Sequence, residues 1–243
     1  GIATTWTRSF VGTGATITYL AYANNLYVGV GYSSLTSTDG VNWTTRTLPH
    51  NLSSVAFGNG IWSGLLYGSA LGATSTNGTS WTSYAMTNSR SWIVVAFGNG
   101  KFVSLGLNSS VAAYSTNGYN WTEVTLPVSG IWVWLTYGGG YFVAVANAST
   151  TAVYSSDGIN WNTTTLPSAA GWNSVTYGNG YFYVTGSSRF GVYSKDLINW
   201  TSYSTTVDGT AYVAYNNGAF VVADVNGATR TNIITGDFTS RTQ

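Results

Sequence analysis

An all-β fold, a six-bladed β-propeller with about four antiparallel strands per blade, is what the sequence predicts for one domain spanning residues 1–243. Three observations predict it. A Ser-x-Asp/Asn-Gly-x-x-Trp motif recurs along the chain, a second motif centred on Gly-Asn-Gly recurs in the same phase, and no stretch shows helical periodicity.

The first motif reads Ser37-Thr38-Asp39-Gly40-Val41-Asn42-Trp43 and returns at Ser75 to Trp81, Ser115 to Trp121 and Ser155 to Trp161. From Ser194 to Trp200 the glycine is replaced by Leu197, and a worn copy ends at Asp237-Phe238-Thr239. From Trp6 through Trp43, Trp81, Trp121, Trp161 and Trp200 to Phe238 the steps are 37, 38, 40, 40, 39 and 38 residues. Six repeats of roughly 39 residues fall within the range of propeller blades.

The second motif reads Val55-Ala56-Phe57-Gly58-Asn59-Gly60-Ile61-Trp62, with partners at Val95 to Phe102, Leu135 to Phe142 and Val175 to Phe182 and weaker copies at Leu20 to Tyr27 and Val213 to Phe220. Two β-rich runs around Asn-Gly make a tight hairpin, because Asn and Gly accept the positive φ that such turns require. Asp-Gly and Asn-Gly in the first motif predict a second hairpin, hence four short strands per repeat. Strands with apolar residues on both faces need neighbours on both sides, which a ring of blades supplies. An open β-solenoid would favour shorter repeats with stronger identity.

The inner three strands occur six times but the Trp-Thr strand seven times, counting both Trp6 to Phe10 and Phe238 to Gln243. Residues 5–11 are expected to close the last blade as its outer strand, which removes an exposed edge.

The first motif resembles the Asp-box of sialidase-type propellers, with Gly directly after Asp or Asn. The longer pattern is similar to propeller repeats of phage-tail and extracellular proteins. The resemblance covers the whole chain as a repeat, and it implies a propeller and an extracellular or virion setting rather than an activity.

Composition narrows the function. Charged residues make up 6% and net charge is +1, which excludes a nucleic-acid binder held by clustered Lys and Arg. The 44% of apolar residues build a core, and solubility falls to Ser, Thr, Asn and Tyr, a surface that suits an extracellular, cell-surface or virion location. The longest apolar stretch, Gly130 to Ala148, contains Gly138-Gly139-Gly140 and reads as two strands and a turn, so no membrane insertion is expected. Nor is a signal peptide expected from the residues that open the sequence. With no Cys and a single His, His50, no metal site or other cofactor is expected.

Acid/base chemistry finds little material. Glu123 is the one Glu, Asp39 and Asp157 are expected in hairpin turns, and Arg8, Arg46, Arg90, Arg189, Arg230 and Arg241 fall at different phases of the repeat. Sialidase-like hydrolysis, which needs converging arginines and paired acidic groups, is the least favoured of three readings. The leading reading is a non-catalytic module that binds surface glycans, and the second is a structural subunit of a virion or filament whose partners are neighbouring copies.

Candidate glycan-stacking platforms are Trp92, Trp132 and Trp172, each three residues before the inner-strand Val or Leu. Packing between blades is the competing reading of these three. Asn88, Arg90, Ser129 and Asn173 stand close by in sequence as hydrogen-bonding groups. Possible N-glycosylation sequons start at Asn42, Asn51, Asn77, Asn108, Asn120, Asn147, Asn162 and Asn199.

Overall fold

A computed structural model describes residues 16–86, 88, 90–187, 190–204, 211–216 and 219–224. The first sheet holds β1 (Ile17–Ala23), β2 (Leu26–Gly31), β3 (Ser34–Ser37) and β4 (Thr44–Arg46). The second holds β5 (Ser54–Gly58), β6 (Ile61–Leu65), β7 (Leu71–Ser75) and β8 (Thr82–Ala85). The third holds β9 (Ala96–Gly98), β10 (Lys101–Leu105), β11 (Ser109–Ser115) and β12 (Thr122–Gly130). The fourth holds β13 (Trp132–Gly138), β14 (Tyr141–Ala146), β15 (Ser149–Ser155) and β16 (Asn162–Ala170), and the fifth β17 (Trp172–Gly178), β18 (Tyr181–Gly186), β19 (Phe190–Ser194) and β20 (Thr201–Ser204). Within each sheet the strands lie in chain order, every neighbour antiparallel.

Five blades are therefore present among the described residues, which corrects the expected six. There the sixth repeat forms a two-stranded sheet, β21 (Ala211–Asn216) with β22 (Ala219–Asp224). The sequence of the turn device differs there as well. Its worn copy, Gly236-Asp237-Phe238, has lost both the serine and the tryptophan that organise the outer hairpin elsewhere. The expected closing strand at residues 5–11 and the rear copy from Phe238 to Gln243 lie outside the described residues.

The chain divides into two compact units. One runs up to Leu107 and includes Val111–Thr125; the other takes Asn108–Ser110 and the chain from Leu126 onward. In the first, β1, β5 and β9 pack side by side; in the second, β13, β17 and β21 do.

The two motifs act as follows. In the inner hairpin, Asn59 (φ 49°) and Gly60 (φ 77°) form the two-residue turn, and Gly58 pairs with Ile61. The other glycine of Gly-Asn-Gly has a different duty: a Cβ at Gly58 would collide with the Phe97 ring of the next sheet. In the outer hairpin, Ser37 Oγ accepts the Gly40 N–H (2.8 Å), and Asp39 Oδ1 accepts the N–H groups of Val41 and Asn42 (2.8 Å each). Trp43 Nε1 then donates to Gly40 O (3.2 Å), so the tryptophan closes its own turn. The glycine lies at positive φ in four boxes, and Leu197 holds the same conformation (φ 61°) in the fifth, with its N–H still donating to Ser194 Oγ.

Apolar clusters lie between successive sheets. Val28 and Val30 pack with Val55, Trp62 and Ala73; Leu65 packs with Trp92, Val95 and Phe102; Val143 and Val145 pack with Trp172, Val175 and Phe182. Each cluster joins the trailing face of one sheet to the leading face of the next, and such burial is the main stabilising term of the fold.

Candidate functional site

A cleft of about 280 Å³ is lined by Met86, Asn88, Trp121, Thr122 and Glu123. Its origin is a break in the repeat. The tail after the box tryptophan reads Thr-Leu-Pro at Thr47 to Pro49, Thr125 to Pro127 and Thr165 to Pro167, but Ala85-Met86-Thr87 after Trp81. Strand β8 stops at Ala85, and the described residues between it and Trp92 are not strand. Met86 occupies the phase of the buried Leu126 and Leu166 and is itself buried, giving the cleft an apolar floor shared with the half-buried Trp121.

The polar wall is an ion pair that ties this connection to β12. Arg90 Nε donates to Glu123 Oε1 (3.0 Å) and Arg90 Nη2 to Oε2 (3.2 Å), while Asn88 Nδ2 donates to Oε1 (3.1 Å). The forked geometry matches guanidinium to carboxylate. The Arg90 hydrogen bonds hold the Glu123 carboxyl below its usual range, opposed by partial burial and helped by Asn88. Glu123 is thus ionised and already neutralised at neutral pH. Tyr84, packed in the cluster beneath, has its hydroxyl pushed up to about 12 by burial, so it is no acid or base there either.

The sequence-predicted stacking tryptophans lie elsewhere. Trp92, Trp132 and Trp172 are fully buried in the structure. Trp132 Nε1 donates to Ser109 O and Trp172 Nε1 to Ser149 O (2.9 Å each), whereas Trp92 Nε1 has no partner. An indole with no exposed face offers no platform to a sugar ring. Of the neighbours named with them, Asn88 and Arg90 come together on Glu123, and Asn173 Nδ2 is buried without a partner. Glu123 was legible only as the single glutamate, and its link to Arg90, 33 positions away, follows from the packing of adjacent sheets.

All eight sequon asparagines are exposed. Three already serve the outer turns. The Asn42 and Asn199 amides donate to Asp39 and Asp196 (2.8 Å), and Asn77 Oδ1 accepts two backbone N–H groups. His50 stands with Nδ1 3.0 Å from Asn51 O and Nε2 3.0 Å from Gly72 O, so both ring nitrogens face carbonyls. No cluster of three potential metal ligands occurs among the described residues, and no helix there is long and apolar enough to cross a membrane.

Sheets of four antiparallel strands in serial order define the class: a β-propeller. The chain is similar to a catalytically inactive histidine-to-alanine variant of virginiamycin B lyase from Staphylococcus aureus with quinupristin (TM-score 0.78, 13% identity, 88% of this chain and 79% of that chain). A streptogramin B lyase matches at TM-score 0.75 and 12% identity over 85% of this chain and 75% of that one. YCF48 bound to D1 peptide matches at TM-score 0.63 and 18% identity over 82% of this chain and 71% of that one. No family model and no curated protein matches the sequence. At such identity the likeness carries the fold alone.

These findings correct two expectations. The similar structures include lyases rather than sialidase-type or phage-tail proteins, so the Asp-box resemblance reaches no further than the propeller. The expected non-catalytic glycan-recognition or assembly role is overturned as well: similar folds belong to enzymes, and the proposed stacking platforms are interior.

Proposed function

We propose that this protein is a propeller that docks an extended polypeptide segment in the Met86–Glu123 cleft. The observation that carries the reading is the cleft itself: an apolar floor of Met86 and Trp121 under a wall whose charges cancel. Its 280 Å³ falls below the roughly 300–1,000 Å³ of small-molecule pockets, and suits one apolar side chain with flanking backbone. Asn88 and Thr122 are exposed at its margin and match the donors and acceptors of a peptide backbone. The peptide-bound YCF48 structure lends support, since its fold is similar.

A lyase role is less well served. The inactive lyase variant differs by one histidine, and the single histidine of this chain has a carbonyl at hydrogen-bonding distance from each ring nitrogen. The low-charge, amide-rich surface favours an extracellular, cell-surface or virion setting, with no nucleic acid and no membrane insertion.

The experiment is selection from a random peptide library followed by fluorescence polarisation. Selected peptides are expected to bind the wild type and to lose binding to Thr122→Arg, which fills the cleft from an exposed position and leaves the melting temperature unchanged. Binding indifferent to Thr122→Arg would overturn the site, and turnover of virginiamycin B would favour a lyase role over peptide docking.

A further inference from the structure

One exposed side chain ties the inner turn of the second sheet to two turns of the third. Asn59, between β5 and β6, donates from Nδ2 to Gly100 O (3.0 Å) and to Thr116 O (2.8 Å). The next residue is Gly60, at φ 77°, where an added Cβ would meet nothing within 4 Å. Asn59 and Gly60 are both exposed, and the Gly60 N–H has no hydrogen-bond partner among the described residues. An asparagine followed by glycine is open to attack of the next backbone nitrogen on its side-chain amide, because glycine has no side chain to crowd the five-membered ring that forms.

The box turns hold the same pair differently. Asn77 and Asn117 also precede glycine, but Gly78 N–H donates to Ser75 Oγ (2.8 Å) and Gly118 N–H to Ser115 Oγ (2.9 Å), so the attacking nitrogen is engaged. Conversion to aspartate would be silent there, since Asp39 accepts the equivalent backbone N–H groups (2.8 Å each) in the first sheet. At Asn59 it has a consequence. An ionised carboxylate only accepts hydrogen bonds, and both partners of this side chain are carbonyl oxygens, which also only accept.

We propose that Asn59 is a site of spontaneous deamidation that acts as a one-way latch between the second and third sheets. The Gly60 nitrogen loses its proton and attacks Asn59 Cγ, closing a cyclic imide. The Cγ–Nδ2 bond breaks, and the amide nitrogen takes up a proton and leaves as ammonia. Water then opens the imide at Cγ to give aspartate, or at the Asn59 backbone carbonyl carbon to give isoaspartate; nothing is oxidised or reduced. While Nδ2 holds both carbonyls the amide is protected, so the reaction waits on local parting of the two sheets. Once it has run, the donor is gone and the latch does not re-form. The site lies outside the peptide cleft and does not depend on that reading.

Folded wild-type protein and protein unfolded in urea are incubated side by side at mildly alkaline pH, and modification at each asparagine is followed by peptide mass spectrometry. Asn59 is expected to react about tenfold more slowly in the folded protein, in line with a small open fraction, yet ahead of Asn77 and Asn117. Equal rates at Asn59 in folded and unfolded protein would overturn the gate, and Asn77 or Asn117 reacting first in the folded protein would overturn the choice of site. The product is tested by Asn59→Asp, which keeps the shape and the tolerance of positive φ but lacks the donor. It is expected to melt about 3 °C below the wild type at neutral pH. An unchanged melting temperature would show that the amide does not hold the sheets together, and would overturn the latch.

Discussion

The connection entering the third sheet and those entering the fourth and fifth start from the same repeat and end differently. Strands β12 and β16 run nine residues each, through Pro127 and Pro167, and the next sheet begins after a single residue. Backbone bonds accompany them to the end, with Asn147 N–H donating to Ile131 O and Ser187 N–H to Gly171 O. Before the third sheet, β8 has four residues, and the crossing is held instead by the Arg90–Glu123 pair, an isolated bridge from Trp92 to Gly106, and Ile93 N–H donating to Leu105 O. A tryptophan is buried at the same phase in all three. The difference teaches that the buried indole sets the spacing between sheets, while the path above it is free to vary. Where the path leaves β8, a cleft opens.

The largest expected effect tests the shared part. Trp172→Ala should cost about 3–5 kcal/mol, the range for a buried aromatic cut to alanine, read from urea unfolding. A loss below about 1 kcal/mol would show that the indole does not hold the sheets together, and the comparison would lose its common term.

A smaller effect separates the three positions. Trp132→Phe removes a hydrogen bond to Ser109 O, whereas Trp92→Phe removes an N–H that has no partner. Both lose similar volume, so Trp132→Phe should cost about 1 kcal/mol more than Trp92→Phe. Equal costs in denaturant titrations would mean that Trp92 finds a partner of its own.

The smallest effect concerns the ion pair. Glu123→Gln keeps the shape and should cost less than about 1 kcal/mol at neutral pH, since both side chains are partly exposed. The Glu123 carboxyl is held below its unfolded value of about 4.3, so its contribution is complete above that pH and is lost as pH falls through the lower folded value. The gap between wild type and variant should therefore close as pH drops below about 4, and narrow in high salt. A gap that is constant from about pH 7 to pH 3 would show that charge plays no part in holding the crossing.

Much of the fold was legible because its devices are local. The Asn-Gly hairpins and the serine–aspartate boxes lie within seven or eight residues, and the structure places their turns where the residue types demand positive φ, as at Asn59, Gly60 and Gly158. The blade count was less secure, because strand copies were counted alike whether or not they kept their box. The sixth repeat, with neither serine nor tryptophan in its box, forms two strands among the described residues.

The site was hardly legible at all. Trp92, Trp132 and Trp172, three residues before the inner-strand Val or Leu, fitted both stacking platforms and packing between blades, and they are buried, as is Leu52 at the same phase. Glu123 and Arg90 meet across two sheets, a pairing that no short-range spacing encodes. The missing proline after Met86 was the available signal, but a weak one, since β4 also stops early, at Arg46, before an intact Thr47-Leu48-Pro49.

The serial order of strands within each sheet carries a consequence for how the chain acquires its structure. Every hydrogen-bonded strand neighbour is also the neighbour in sequence, so each sheet closes through short loops, and the entropy of closing them grows only slowly with length. Nucleation can then start in any one of the sheets and spread to those beside it, as in other repeat proteins. Refolding should proceed through partly ordered species in which some sheets are complete and others are still chain, and slow steps should belong to the docking of one finished sheet on the next rather than to the pairing of strands.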